Sequence, residues 1–450
     1  MAKQSILKQW QLTTVQWIVV LYILAIVGAT FLLQIPGAVK PGVTFTWLDS
    51  LFTAVSSISV TGLTVVNLKE TFTPLGIFFI IILLQIGGLG IMALGTMVWL
   101  ILGKKIGFRQ RQMIMTDQNR SSLQGLVSLI RELFGVIVAI ELVGTVVLTC
   151  YFLRYFPTLD QAFYQGLFAS VAATTNAGFD ITGESLAPFK HDYFVQTVTM
   201  ILIILGSIGF PVLLELKDWW RERNNRVVRF SLFTKLTTTT FFLLTLLGVI
   251  AFYVFEWRHF LKDKSWHEGF FYALFQSVTT KSAGLATLDP NDLTEGTQLL
   301  LSGMMFIGAS PSSVGGGIRT TTLAIIILSV YSFARGRNSV KVFQRELTQE
   351  DISKAFAVAS VAVVLCSISV LLLTITEPFP LSEIIFEVSS AFGTTGLSTG
   401  ITPDLSAFGK FVDMILMFIG RVGLLSFLYI LRGKAPDEFY RYPKERVIIG

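Results

Sequence analysis

Eight long apolar runs set the rhythm of this chain: 14–35, 74–102, 133–153, 193–216, 236–256, 297–331, 355–375 and 408–431. Each is close to or beyond the about 20 helical residues that cross a bilayer core. They come in pairs. Between the members of each pair lies a shorter, more polar segment, near 47–60, 161–175, 268–281 and 382–393. These segments are too short and too polar to span. The pattern predicts half-helices that enter the membrane, stop, and leave along an extended stretch. The unit is then a first spanning helix, a pore half-helix and a second spanning helix, repeated over residues 1–105, 106–217, 218–335 and 336–450. The expected fold class is an all-α polytopic membrane protein, with eight transmembrane helices in pseudo-fourfold symmetry around one pore.

A polar mark ends each half-helix. The four marks are Ser59-Val60-Thr61-Gly62-Leu63, Thr174-Thr175-Asn176-Ala177-Gly178-Phe179, Thr280-Lys281-Ser282-Ala283-Gly284-Leu285 and Gly393-Thr394-Thr395-Gly396-Leu397. Their central glycines are 116, 106 and 112 residues apart. A phenylalanine stands ten residues before the glycine in three copies (Phe52, Phe168, Phe386) and nine before it in the third (Phe275). Self-similarity at a fixed period is read as an internal repeat before anything else.

Composition agrees with the membrane reading. Mean hydropathy is +0.67, and 14% of residues are charged, against about 25% in soluble domains. Most of the 35 lysines and arginines fall on one side: at Lys3 and Lys8, in the loops 103–132, 217–235 and 332–354, and in the tail 432–450. Positive charge marks the cytoplasmic side. Both termini are therefore expected in the cytoplasm, and all four half-helices enter from outside. Acids such as Asp160, Glu184, Asp192, Glu256, Asp263, Asp289, Asp292, Glu295 and Asp404 gather on the outer side, a vestibule that would modestly concentrate cations. This distribution speaks for topology rather than nucleic-acid binding. Cys150 and Cys366 read as small apolar filler in packed helices, and His191, His259 and His267 as surface residues. The first apolar run lacks the cleavage site of a signal peptide.

Non-helical backbone at membrane depth is tolerated only where it is buried in protein or lines a water-filled cavity. Four such stretches, converging on one axis, would present rings of carbonyl oxygens that replace an ion's hydration shell. Glycine reaches φ > 0 and turns a carbonyl toward the axis without a Cβ clash. The chemistry favours a dehydrated monovalent cation, held by Val60, Thr61 and Gly62, by Asn176, Ala177 and Gly178, by Ser282, Ala283 and Gly284, and by Thr394, Thr395 and Gly396. Close helix packing is the plainer use of glycine. It suits Gly87, Gly88, Gly90 and Gly95 better than the four recurring marks.

The sixth run is interrupted by Gly308, Ala309, Ser310, Pro311, Ser312, Ser313, Val314, Gly315, Gly316 and Gly317. Proline and glycine both break helices, and no other run shows such a stretch. The break is expected in the pore beneath the marks, either as a passive kink or as a flexible intramembrane gate, which is the favoured reading. It lacks the Gly-Lys-Ser/Thr ending of a phosphate-binding loop. Arg421 lies within the last run, where an arginine is expensive and usually functional or paired. Glu141 is a plausible partner for a buried base. Arg319 is free to stay near the break or to reach toward the cytoplasm. Lys281 is expected to support the third mark from behind, with Glu387 as a possible partner.

Four helix–half-helix–helix units with Val-Thr-Gly-Leu, Asn-Ala-Gly-Phe, Ser-Ala-Gly-Leu and Thr-Thr-Gly-Leu resemble the Trk/Ktr/HKT superfamily of potassium transporters, and within it the bacterial Ktr membrane subunits. The resemblance covers nearly the whole chain. Lys281 departs from it, standing where many members carry arginine. The resemblance implies K+ as the transported ion, one glycine per filter strand, a gating loop at 308–317, and Arg421 at the constriction beneath the filter. It also implies a homodimer in the membrane resting on a cytoplasmic, KtrA-like nucleotide-binding ring. Nucleotide then binds the partner, since this chain has no Walker or dinucleotide-binding motif. Membrane lipids are the remaining partners, and no nucleic acid is expected. Sodium-coupled or poorly selective cation transport is the alternative within the superfamily. An alternating-access solute transporter fits less well, because such folds usually show two inverted halves. No catalytic constellation sits at membrane depth, so an enzyme is not expected.

Overall fold

The computed structural model describes residues 14–90, 93, 96, 126–222, 229–432, 443 and 445. Lys3 and Lys8, Gly95, most of the basic loop 103–132, and the apolar end Val447-Ile448-Ile449-Gly450 lie outside the described residues.

The described chain is helical, apart from a hairpin of two-residue strands, Lys341–Val342 and Arg345–Glu346. In order the helices of nine or more residues are α1 (Thr14–Leu33), α2 (Trp47–Ser59), α3 (Pro74–Leu89), α4 (Leu126–Phe152), α5 (Leu159–Thr174), α6 (Tyr193–Ser207), α7 (Phe210–Glu222), α8 (Leu232–Glu256), α9 (Trp266–Thr279), α10 (Glu295–Ile307), α11 (Thr320–Ala334), α12 (Gln349–Thr376), α13 (Leu381–Gly393), α14 (Ala407–Val422) and α15 (Leu424–Arg432). Among the described residues α1, α4, α8 and α12 are long and apolar enough to cross a bilayer alone, and the bent pair α6–α7 counts as a fifth candidate. The long helices keep large apolar side chains exposed, such as Leu24 and Phe31, Leu142 and Val146, Leu246 and Val254, and Leu371 and Ile375. Such a surface suits lipid.

The second helices correct the expectation of one unusual break. All four are interrupted. α3 ends at Gly90 (φ 85°, ψ 137°), and α14 ends at Gly423 in almost the same conformation (φ 88°, ψ 136°). α6 and α7 meet at 103° across Ile208 and Gly209, where the sequence suggested one continuous run over 193–216. α10 and α11 are separated by the long loop 308–319. Gly90 is thus a helix end. Gly87 and Gly88 are packing residues as expected: a methyl group on Gly87 would fall 2.5 Å from the Ile58 carbonyl oxygen, and one on Gly88 2.9 Å from Thr175 Cγ2.

Each half-helix starts at a definite place. Thr46 and Asp49 form a reciprocal cap at α2, and Ser265 and Glu268 do the same at α9. Such boxes satisfy amides that a helix start leaves free. The marker phenylalanines Phe52, Phe168, Phe275 and Phe386 are all buried. Each half-helix packs on the long helix before it: α2 on α1, α5 on α4, α9 on α8 and α13 on α12. Each also packs on a second helix from elsewhere in the chain: α5 on α3, α9 on α6, α13 on α10, and α2 on α14. The last contact brings the end of the chain back to its beginning and closes the helices into a ring.

The junctions between long and second helices are tied by carboxylates. Glu256, at the end of α8, accepts from the Thr294 amide at 2.9 Å, from Thr294 Oγ1 at 2.8 Å and from Thr297 Oγ1 at 2.5 Å, at the start of α10. Glu377, after α12, accepts from the Ser406 amide at 3.0 Å, ahead of α14. Glu256 is therefore a buried clamp, not part of an open acidic vestibule. Cys150 is exposed and Cys366 half-buried, and both are free thiols, so Cys150 is not filler between packed helices.

Candidate ion pore

The four marked glycines meet. A methyl group on Gly62 would fall 2.6 Å from Gly178 Cα, and one on Gly178 3.2 Å from Gly62 Cα. One on Gly284 would fall 3.0 Å from both Gly178 Cα and Gly396 Cα, and one on Gly396 3.1 Å from Gly62 Cα. In sequence order the glycines run 62, 178, 284, 396 and back to 62. Carbonyl oxygens stand between them: Thr61 O near Gly178 and Gly396, Ala177 O near Gly62, and Thr395 O near Gly178 and Gly284. A Cβ at any of the four would press on backbone, so the closeness of the chains itself demands glycine.

The backbone alternates in the same way in all four stretches. Val60, Asn176, Ser282 and Thr394 have φ of 57°, 52°, 72° and 46°, and Gly62, Gly178, Gly284 and Gly396 have φ of 93°, 67°, 69° and 93°. Thr61, Ala177, Ala283 and Thr395, between them, are not in the left-handed region. Left-handed backbone is tolerable for Asn and rare for a β-branched residue such as Val60. Strain of this kind costs about 1–3 kcal/mol and persists where the surroundings over-determine it.

The half-helix ends explain the geometry. In three copies the residue before the glycine closes the helix with a bond to the carbonyl five residues back: Thr61 to Ser56 O at 2.9 Å, Ala177 to Ala172 O at 2.8 Å and Thr395 to Ser390 O at 2.9 Å. Together with the left-handed residue, this is the usual helix-ending arrangement. In the third copy Gly284 itself makes that bond, to Thr279 O at 3.4 Å. The phenylalanine nine rather than ten residues upstream is the sequence counterpart of this one-residue shift. Two serines missed in the sequence hold the glycine amides: Gly62 N donates to Ser56 Oγ at 3.1 Å and Gly396 N to Ser390 Oγ at 3.0 Å. Their signal was a serine six residues before the glycine in copies one and four.

Beside this ring sits the loop 308–317, seated by backbone contacts. Ser310 N donates to Ser207 O at 3.1 Å, Val314 N to Gly206 O at 3.3 Å, and Phe210 N to Ser312 O at 2.8 Å. The loop thus fills the bend between α6 and α7. Gly315 and Gly316 lie flat against the third and fourth marks: Cβ atoms there would fall 2.5 Å from Ser282 Cβ and 2.5 Å from Thr394 Oγ1. Ala309 is buried, as are Ser310, Pro311 and Ser313. A cavity of about 920 Å³ lies against Pro311, Ser312 and Ser313 and also receives Arg319 and Arg421.

Arg421 joins three second helices. It donates through Nη1 to Val314 O in the loop, and through Nη2 to Gly87 O and to Gly88 O at 3.3 Å. Carbonyls in a last helical turn lack their usual intrahelical donors; Gly87 O, which also accepts from the Gly90 amide at 3.2 Å, and Gly88 O both face the guanidinium. Arg319 stays at the break, donating to Gly315 O. Two expected pairings do not form. Glu141 accepts both Gln85 Nε2 bonds, at 2.8 and 2.7 Å, instead of pairing with a base. Lys281 is fully buried, but its Nζ has no hydrogen-bond partner. Glu387 is held instead by Ser398 Oγ at 2.8 Å and by Thr402 Oγ1. Asp413, missed in the sequence, is fully buried with both carboxylate oxygens unpartnered, in electrostatic reach of Glu387 and Glu377. Among the described residues no group of three or more His, Cys, Asp or Glu is placed to hold a metal ion. The concentrated donors here are backbone carbonyls, the chemistry that coordinates a stripped monovalent cation.

Comparison with known proteins agrees with this geometry. Over 439 residues the chain is 53% identical to the Ktr system potassium uptake protein D of Bacillus subtilis, covering 98% of each. It is 34% identical to the Ktr system potassium uptake protein B of the same organism, covering 100% of this chain and 99% of that one. The crystal structure of the potassium transporter TrkH from Vibrio parahaemolyticus superposes with a TM-score of 0.74 at 18% identity, covering 96% of this chain and 87% of that chain, which establishes a shared fold. The family model described as TrkH, cation transport protein, matches residues 9–441. A multi-pass membrane chain whose carbonyl-lined glycine ring sits against a broken helix thus belongs to the TrkH family of cation transport proteins.

Proposed function

We propose that this chain is the ion-conducting membrane subunit of a Ktr-type potassium uptake system. The observation that carries the reading is the ring of four glycines, each two residues after a left-handed, largely strained position. Val60 to Gly62, Asn176 to Gly178, Ser282 to Gly284 and Thr394 to Gly396 form the selectivity filter, and their carbonyls take over the hydration shell of K+. One glycine per strand supplies few aligned carbonyls. Discrimination against sodium is accordingly weaker than in a longer channel filter, and sodium is the competing cargo to test.

The chain comprises four first helix–half-helix–second helix repeats, within residues 1–105, 106–217, 218–335 and 336–450, and eight spans in pseudo-fourfold array. The α14–α2 contact supports this closure. Positive charge on one side of the spans supports cytoplasmic termini in a bacterial plasma membrane. Residues 308–317, with Arg421, form the gate, and Lys281 supports the third filter strand. The functional unit is a homodimer on a cytoplasmic KtrA-like ring, where nucleotide binds. Flux follows the potassium gradient and the membrane potential, worth about 2.3 kcal/mol per charge per 100 mV, or is coupled to another ion such as sodium.

Rubidium uptake in a potassium-transport-deficient bacterium, with sodium as competitor, tests the reading. Saturable uptake that potassium suppresses at lower concentration than sodium is expected. Uptake equal to that of the untransformed strain rules the reading out.

A further inference from the structure

The Ser282 hydroxyl occupies the junction between two filter strands and the loop. It lies 2.7 Å from Thr394 O, 3.0 Å from Gly393 O and 3.0 Å from Thr394 Oγ1, and it accepts from the Gly316 amide at 3.2 Å. A serine hydroxyl has one proton and two acceptor lone pairs. Its one proton goes outward to a carbonyl of the fourth strand, the shortest of these contacts being Thr394 O. Its lone pairs face the donors Gly316 N–H and Thr394 Oγ1–H. With the loop seated, the hydroxyl is therefore fully used. Ser282 is itself completely buried, so no bulk water replaces a lost partner.

No other mark provides this link. Val60 has no polar side chain to offer. The Asn176 amide, with its oxygen and nitrogen exchanged, turns to Ala173 O at 2.8 Å and Ile203 O at 3.2 Å, away from the loop. Gly315 and Gly316 leave no space for a side chain between the loop and Ser282 or Thr394. The loop backbone therefore reads the position of the Ser282 hydroxyl directly.

We propose that Ser282 is a positioning residue that couples the loop to the filter: its hydroxyl caps the Thr394 carbonyl while the Gly316 amide caps the hydroxyl. Withdrawal of the loop removes one of the two donors to Ser282 Oγ. The hydroxyl is then free to rotate, and the Thr394 carbonyl is released to the ion. The loop thus sets both whether an ion passes and how the fourth strand presents its oxygens. The inference rests on the pore reading proposed above.

The test is a cycle in proteoliposomes with the full chain, measuring rubidium flux and the rubidium-to-sodium ratio. The four proteins are wild type, Ser282→Ala, a deletion of residues 310–316, and the deletion carrying Ser282→Ala. Coupled sites show non-additive effects in such a cycle. Ser282→Ala is expected to raise flux roughly fivefold in the intact chain and to lower the rubidium-to-sodium ratio. In the deletion background, where the loop no longer reaches Ser282 and the carbonyl is already released, the substitution should change both flux and the ratio by less than in the intact chain. An equal rise in flux with and without the loop overturns the coupling, as does no change in either protein. Amide exchange over residues 308–317 gives a readout independent of transport. Ser282→Ala should speed it in a chain that remains monodisperse. Unchanged exchange overturns the proposal. Faster exchange in a chain that shows no selective rubidium flux even as wild type would leave the coupling standing and remove the pore reading instead.

Discussion

Arg421 donates to the Val314 carbonyl, and so ties the last second helix to the loop of the third. The same guanidinium reaches Gly87 O and Gly88 O at the end of α3. Charge-assisted hydrogen bonds to buried carbonyls contribute about 1.5–3 kcal/mol each. Arg421→Ala removes them together with a positive charge which, in the proposed gate, opposes the passage of cations. Rubidium flux in vesicles should rise on the order of tenfold, a shift of about 1.4 kcal/mol. Arg421→Lys, a point charge without the planar fork, should fall between. Flux unchanged by either substitution would mean that the arginine serves assembly alone.

Gly62 has no space for a side chain, because Gly178 Cα would stand 2.6 Å from its Cβ and its φ is 93°. Gly62→Ser must therefore move the first strand or the second. The expected outcome is a fall in the potassium-to-sodium permeability ratio of at least severalfold, with sodium flux retained. Equal ratios in wild type and variant would remove Gly62 from the filter.

Lys281 carries an ammonium into a fully buried position with no hydrogen-bond partner. Replacing buried charge by an apolar side chain of similar size is often neutral or stabilising by about 1–4 kcal/mol. Lys281→Met should raise the thermal midpoint in detergent. It should also lower the rubidium concentration for half-maximal flux, since one positive charge leaves the vicinity of the filter. A lowered midpoint would show that the ammonium, and not only the apolar stem that methionine keeps, holds the strand.

Asp413 presents the opposite sign of the same problem. Both its oxygens are bare, and its acidic neighbours are Glu387 and Glu377. Asp413→Asn keeps the shape and removes any like-charge term. Thermal unfolding should show a stability equal to or above wild type. A marked loss would mean that the carboxylate is satisfied by a group that asparagine does not reproduce.

The half-helices and the converging glycines were legible because they rest on local pattern. Phe52, Phe168, Phe275 and Phe386 fix the buried face, and the glycine ten or nine residues on fixes where helix ends. The bends at Gly209 and Gly423 were not legible. Each lies in an apolar run where glycine is common, and only the contacts made by the bent chain distinguish it from a packing residue. The partners of Glu141 and Glu387 were missed for a related reason. Opposite charge suggested pairing, yet Gln85 and the hydroxyls of Ser398 and Thr402 lie closer in the folded chain. Arg421 was singled out by its cost at membrane depth; its acceptor Val314 O lies in the break the sequence showed, whereas Gly87 O and Gly88 O lie at the end of α3, which the sequence hid.

The contact of α14 with α2 gives the order of synthesis a meaning. Arg421 and Gly87 are 334 residues apart, so the two sides of one wall emerge from the ribosome at opposite ends of translation. Until the last quarter of the chain arrives, the first half-helix lacks its neighbour and the carbonyl ring lacks a side. Contacts of such long sequence separation form late and slowly. A chain that lacks its last quarter holds only three of the four glycine strands, so the ring of close approaches closes only when α14 reaches α2.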